Sequence, residues 1–454
     1  MVQETKKRPI NRLQSMHPLR ALVDKTYQSS LIAAMFGKPV VWSMLDNGYG
    51  SPFFNAISVE SVYPENYGTM CAATGAAGAF LERAEAEGFP THLCGYARNC
   101  IGYTAMMMEL GQAPPEAPAG GMPKPVLLVS SGYLCDARFK WFQSLGRYLD
   151  APVWVLELPN SGQRESLGEG VYEREVQFLV DELREFATFL EQLLGRKMDW
   201  DKFSEDIDDT MAMDKAWYEV NELRGARPSP MHSRDFWSSM LPSIFRAADP
   251  KEAGQFYHDM YDEVTQRVAS GISGINREER YRLSFIGLPP WHSLGFFDQL
   301  AERGWNFVTE VAYHPPRPID LSRISDPVER LVRYRHQGLA HILDYEFGQE
   351  EGARVREEIM RTGQTTRLDT KHVRDFQCDG AFLHPLLTCR ATTAPQRVFE
   401  NQVLEQWRVP SLVIEGDIVD TKLFDPVGAL KKAEAFEETM DHYKRVRRDM
   451  GLEW

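Results

Sequence analysis

The stretch PVLLVSSGYLCDARFKWFQSLGRYLDAPVWVLELP, residues 125–159, decides the fold. Two apolar runs, VLLV and VWVL, flank a segment whose apolar residues recur at three- and four-residue spacing. The order is strand, loop, helix, strand. Strands joined through a helical crossover run parallel, so this is a βαβ unit of a parallel sheet. The same order returns in RYRLSFIGLPPWHSLGFFDQLAERGWNFVTEVAY, residues 280–313. There Gly287 aligns with Gly132, and FDQL (297–300) with FQSL (142–145). The chain therefore reads as α/β, with two flavodoxin-like doubly wound parallel-sheet domains of similar design.

The flanks complete the organisation. KPVVWSM (38–44) is a short apolar strand. SVYPENYG (61–68) is a turn broken by Pro64, and 69–88 is one helix ending at Gly88. The segment from Cys94 to Gln112 is helical, and QAPPEAPAGGMPKP (112–125) is a Pro/Gly-rich surface loop. Residues 170–278 are helical and polar, with an amphipathic helix in VQFLVDELREFATFLEQLLG and a break at RPSPMHSRDFW, where Ser233 or Asp235 caps the next helix. The C-terminal FDPVGALKKAEAFEETMDHYKRVRRDM is one long, charged surface helix. These breaks divide the chain into an N-terminal, mostly helical segment of mixed structure (1–115), a first α/β domain (116–195), a helical insertion (196–278) and a second α/β domain (279–454).

Composition narrows the function. The chain has 454 residues, 43% hydrophobic and 26% charged, with a formal net charge of -14. Nucleic acid and anionic membranes both reward Lys/Arg patches, so neither suits this surface. The first twenty residues lack an apolar run, and no window reaches the roughly 18 consecutive apolar residues of a membrane helix. A soluble, cytoplasmic protein is expected. Six cysteines without a C-x-x-C spacing argue against a zinc ribbon and against a disulfide scaffold.

Position distinguishes three of them. Cys135 lies just past a strand and just before a helix, and Cys389 in DGAFLHPLLTCRATT lies in the same place in the second domain. Cys94 in HLCGYAR also precedes a helix. Helix N-termini favour a thiolate, and ligands of such folds bind beyond the carboxyl ends of the strands. Three thiolates at long spacings suit an iron–sulfur cluster held between domains, with one iron left without a cysteine. The ordinary alternative for each is a packed thiol, and Cys71, Cys100 and Cys378 are read that way.

In order along the chain, PVVWSM, SVYPENYG, HLCGYAR, SSGYLCDARFKWFQSL, DGAFLHPLLTCRATT and VPSLVIEGDIVD resemble the 2-hydroxyacyl-CoA dehydratase and benzoyl-CoA reductase family. The resemblance spans roughly residues 30 to 445 and is weakest in the helical middle. It implies a [4Fe–4S] cluster on Cys94, Cys135 and Cys389, a related cluster-binding subunit as partner in a heterodimer, and a separate ATP-hydrolysing iron–sulfur activator that delivers single low-potential electrons. No G-x-x-x-x-G-K-[ST] occurs in this chain, consistent with ATP being used elsewhere. In the family, a CoA thioester accepts the electron as a ketyl. Dehydratases then expel hydroxide and recycle the electron, whereas ring reductases add two electrons and two protons. HPLLTCRATT, IEGDIVD and the length above 400 residues are closest to the larger cluster-binding subunit of benzoyl-CoA reductase, acting on an aromatic acyl-CoA. A subunit of a radical 2-hydroxyacyl-CoA dehydratase is the alternative.

Other residues are candidates by position. His384, five residues before Cys389, and His292 in PPWHSLG are the candidate proton donors; a packed histidine is the plain alternative for both. Glu65, Glu415 and Asp417 sit at expected turns or strand ends, where acids also hold loops. Trp291 and Tyr133 are candidate walls of an apolar pocket. Arg98 and Arg390 follow cluster cysteines and are placed to tune a cluster by charge.

Overall fold

The computed structural model describes residues 8–44, 48–132, 135–159, 164–245, 249–363, 367–452 and 454. Among the described residues, eight strands form two four-stranded, all-parallel sheets, as the βαβ reading requires. The first contains β1 (Val40–Ser43), β2 (Glu60–Val62), β3 (Leu127–Ser131) and β4 (Val153–Leu156), in the order β2-β1-β3-β4. The second contains β5 (Tyr281–Ile286), β6 (Trp305–Glu310), β7 (Gly380–Leu383) and β8 (Ser411–Val413), in the order β6-β5-β7-β8. Both sheets thus have the flavodoxin-like order 2-1-3-4, with a switch point between their first and third strands.

This order corrects the phase of the internal repeat. The unit 125–159 carries β3 and β4, whereas 280–313 carries β5 and β6. By position in the sheet, β3 and β4 correspond to β7 and β8, and β5 and β6 to β1 and β2. The residue match between 125–159 and 280–313 is therefore the pattern of any βαβ unit. The first sheet also draws β1 and β2 from before residue 115 and β3 and β4 from after it. A boundary at 115/116 would cut one sheet in two.

Local reasons explain the other departures. Pro64 opens a helix (Pro64–Thr74) rather than a turn, because its missing N–H is no loss at the first helical position. Gly75 at φ +81° then ends that helix, so 69–88 holds two helices, the second being Ala77–Ala86. The helix Ser233–Ser239 is capped by His232, whose side chain accepts from the Arg234 amide, and not by Ser233 or Asp235. The C-terminal helix Pro426–Asp449 is not wholly at the surface: Ala429, Ala433, Phe436, Met440 and Arg447 are buried.

One apolar cluster is continuous through both sheets, joining Trp42, Leu128 and Trp141 to Phe285, Phe307 and Phe382. The helical middle covers the β6 edge. Ser233 Oγ donates to Phe307 O at 3.0 Å, Asn306 Nδ2 donates to Ser229 O at 3.3 Å, and buried Arg224 pairs with Glu310 at the end of β6. An edge strand presents unpaired backbone groups, and this cover removes the hazard while burying all six residues of β6. The helix Pro64–Thr74 packs on the turn Trp291–Ser293, which brings the carboxyl ends of the two sheets together. None of the described helices is long and apolar enough to cross a membrane.

Candidate functional site

Cys94, Cys135 and Cys389 each occupy the cap position immediately before a helix: Gly95–Leu110, Asp136–Leu149 and Arg390–Thr393 respectively. Oxygen-bearing side chains usually take that position. The six cysteines divide cleanly. These three are half-buried, whereas Cys71, Cys100 and Cys378 are fully buried. Burial pushes the Cys71 and Cys100 thiols up to about 12, which keeps them protonated and inert.

The three half-buried thiols lie within electrostatic reach of one another. Burial pushes Cys94 up; the amide of Ala97, facing its sulfur from the first helical turn, opposes this; and Cys389, Cys135 and Asp417 push it up further by charge. Cys135 is raised by burial, eased by the Arg138 guanidinium and amide, and raised again by Glu65 and Cys389. Burial and neighbouring charge thus favour the protonated form of Cys94 and Cys135, and deprotonating them together calls for positive charge beside them. Among the described residues, no three His, Cys, Asp or Glu side chains converge as a single metal ion requires. A cubane asks for something different, since each thiolate binds its own iron. The donor chemistry fits such a group: three half-buried cysteines from the two halves of the chain, each at the N-terminal cap of a helix.

Polar side chains tie the two halves together beside these thiols. Asp417 is fully buried; its Oδ1 accepts from the amides of Val419 at 2.9 Å and Asp420 at 2.8 Å. Its Oδ2 accepts from Thr388 Oγ1, and the amide of Gly95 donates to the same hydroxyl at 3.4 Å. A Cβ on Gly95 would lie 2.5 Å from Asp417 Oδ1, so only glycine permits this approach. Arg98, one helical turn past Cys94 and fully buried, reaches Glu85 at 3.0 Å and Asp420 at 2.9 Å. Arg138, just past Cys135, pairs with Glu65 at 3.0 Å.

An aromatic wall stands next to these groups. Trp291 Nε1 donates to Tyr96 Oη at 2.6 Å, and that hydroxyl also meets Thr69 Oγ1 at 3.2 Å. Tyr313, beyond the end of β6, holds φ at +70°, a left-handed conformation that is costly for a bulky residue. Burial raises its phenol, as do the nearby Tyr96 and Glu65.

The two candidate histidines fare differently from the cysteines. His384 is fully buried; its Nδ1 meets Leu288 O at 2.7 Å, and its ring lies edge-on to Phe424. Gly416 closes over it, since a Cβ there would sit 2.6 Å from Nε2. The strand end turns this side chain into the core, where Nε2 meets no hydrogen-bond partner among the described residues. His292 is half-buried with both nitrogens engaged, Nε2 with Asp417 O at 3.0 Å and Nδ1 with Ser293 Oγ at 2.7 Å. Burial lowers its pKa, partly offset by Asp417 and Asp420. It therefore holds the loop of Asp417. Glu415 and Arg390 are exposed, and Tyr133 lies outside the described residues. Arg138, Thr388, Tyr96 and Tyr313 escaped the sequence reading. Thr388 and Arg138 carry a faint signal in standing one and three residues from a capping cysteine; Tyr313 carries none.

The sequence pattern of the family described as 2-hydroxyglutaryl-CoA dehydratase, D-component, matches residues 29–440. The chain belongs to this family. It is 24% identical to the (R)-2-hydroxyisocaproyl-CoA dehydratase alpha subunit of Clostridioides difficile, over 94% of this chain and 96% of that one. It is also 24% identical to the lactoyl-CoA dehydratase alpha subunit of Anaerotignum propionicum, over 92% and 94%. A benzoyl-CoA reductase subunit of Thauera aromatica is 23% identical over 80% of each chain. Members of the family are thus similar to this chain on both sides of the expected choice, dehydratases and a reductase alike.

Proposed function

We propose that this chain is the cluster-binding subunit of a radical enzyme acting on an acyl-CoA thioester, and that Cys94, Cys135 and Cys389 hold a [4Fe–4S] cluster. One observation carries the reading: of six cysteines, the three that cap helices at the facing ends of the two sheets are the three that remain half-buried. When bound, such a cluster supplies single low-potential electrons and an iron free of cysteine. The residues of the chain do the rest. The first-turn amides of two long helices face the Cys94 and Cys135 sulfurs and favour their thiolates. The Glu65–Arg138 pair places a largely buried carboxylate and guanidinium beside Cys135. Trp291, Tyr96 and Tyr313 exclude water from the adjoining wall, which protects a radical intermediate.

Dehydration of a 2-hydroxyacyl-CoA is the reaction we favour, since relatives matched over more than nine-tenths of both chains carry dehydratase names. Reduction of an aromatic acyl-CoA is the second reading, supported by the likeness to the benzoyl-CoA reductase chain and by the aromatic wall. A partner chain follows from the relatives being named as subunits, and an ATP-hydrolysing activator from the resemblance. Purification without oxygen, together with a co-expressed partner, tests the core of the proposal. A brown protein with about four irons per chain is expected; a colourless one sinks it. Offering 2-hydroxyacyl-CoA and benzoyl-CoA with an ATP-driven electron source then separates the branches. Turnover of benzoyl-CoA alone would reverse our preference.

A further inference from the structure

We propose that Asp417 is a positioning and tuning residue for the cluster, its buried carboxylate acting as a fixed negative charge that holds the reduction potential low. The inference rests on the reading that Cys94, Cys135 and Cys389 bind the cluster. The geometry is specific. One carboxylate oxygen presses on Gly95, the residue after Cys94, and the other is held by Thr388, the residue before Cys389. The carboxylate therefore sits between the chain neighbours of two of the three proposed ligands, one from each half of the molecule.

Asp417 has no accessible surface, so water screens it little. Its partners are neutral donors: the Val419 and Asp420 amides and the Thr388 hydroxyl. Among the described residues no cation pairs with it. Arg98, which pairs with Asp420 on the same loop, is shared between Glu85 and Asp420. His292, which meets the Asp417 carbonyl, is held towards its neutral form by burial. A cluster gains negative charge on reduction, and a nearby uncompensated carboxylate opposes that gain. A lower potential is what an electron donor to a thioester needs.

The plain alternative is that Asp417 merely holds its own loop. Asparagine would do that equally well, because its carbonyl oxygen can accept from both amides and its amide can meet Thr388. Asp417→Asn therefore removes the charge while keeping the shape. The measurement is an EPR-monitored redox titration of the anaerobic complex with its partner, with iron and sulfide assayed in parallel. A loaded Asp417→Asn protein whose midpoint moves to a more positive value supports the inference. A loaded variant with an unmoved midpoint overturns it and leaves the cluster reading intact. Wild type that binds no iron overturns both. Should Asp417→Asn bind no cluster, Thr388→Val is measured instead, which keeps the charge and removes one donor that tempers it. A fall in midpoint supports the inference; an unchanged or raised midpoint ends it.

Discussion

β3 and β7 hold the same place in their two sheets, and each leads into a cysteine that caps a helix. What surrounds them differs. Cys135 opens a helix of 14 residues, whereas Cys389 opens one of 4 that ends just before Pro395. Ahead of β3 stands the Gly95–Leu110 helix, capped by a second half-buried thiol, Cys94. Ahead of β7, the nearest thiol is Cys378, and it is sealed in the core. One half of the chain contributes two half-buried cysteines and the other contributes one. Repeating a scaffold sets where ligands can stand, and local departures from the repeat set how many do. On the proposed reading, the odd number leaves one iron available to water or substrate.

The sharpest way to break this comparison is to remove one thiol of each kind. Cys389→Ser should lose the visible absorbance and most of the iron, whereas Cys378→Ser should keep both. Equal iron in the two variants would show that accessibility does not mark the ligands. Arg98→Ala comes next. It strands a buried carboxylate on Asp420 between the two halves, and such losses cost about 3–5 kcal/mol. Urea unfolding reads this directly, and a cost below about 1 kcal/mol would mean the pair does not hold the halves together. Gly95→Ala should be milder. Its Cβ meets Asp417 Oδ1 at 2.5 Å and Val419 Cβ at 3.0 Å, and overpacking of this kind costs about 1–3 kcal/mol. Its iron content should fall below wild type, because the clash lies one residue from Cys94.

The smallest effect concerns His384. Burial lowers its pKa from 6.5 to about 4, so the folded chain favours the neutral ring. That contribution is complete above the unfolded value and is lost as pH falls through the folded one. His384→Leu should flatten part of the decline in stability between pH 6.5 and about pH 4. His314, lowered to about 3, contributes to the same decline and survives the change. The pH profile of turnover should not move. A shifted profile would return His384 to the proton-transfer chemistry that its burial argues against.

Much of the site was legible in the sequence because its signals are local. A cysteine between an apolar run and a helical period announces a cap position, and Cys94, Cys135 and Cys389 all stand there. The parallel character of both sheets follows from strand–helix–strand order alone. The sequence did not reveal which units correspond, since every βαβ segment shows the same alternation of patterns. Pro64 misled because proline both ends and begins helices, and only the following residues' packing selects between these.

The sequence by itself therefore determined the fold class, most strands and the cap positions of Cys94, Cys135 and Cys389, all of which depend on neighbours a few positions apart. Tertiary structure alone decided what meets across the two halves. Asp417 on Gly95, Arg98 on Asp420, and Tyr313 beside Tyr96 join residues hundreds of positions apart. It also turned His384 into the core while leaving Cys389 near the surface. The physical reason is that these placements follow from how the crossovers stack one sheet against the other. No local propensity encodes that arrangement.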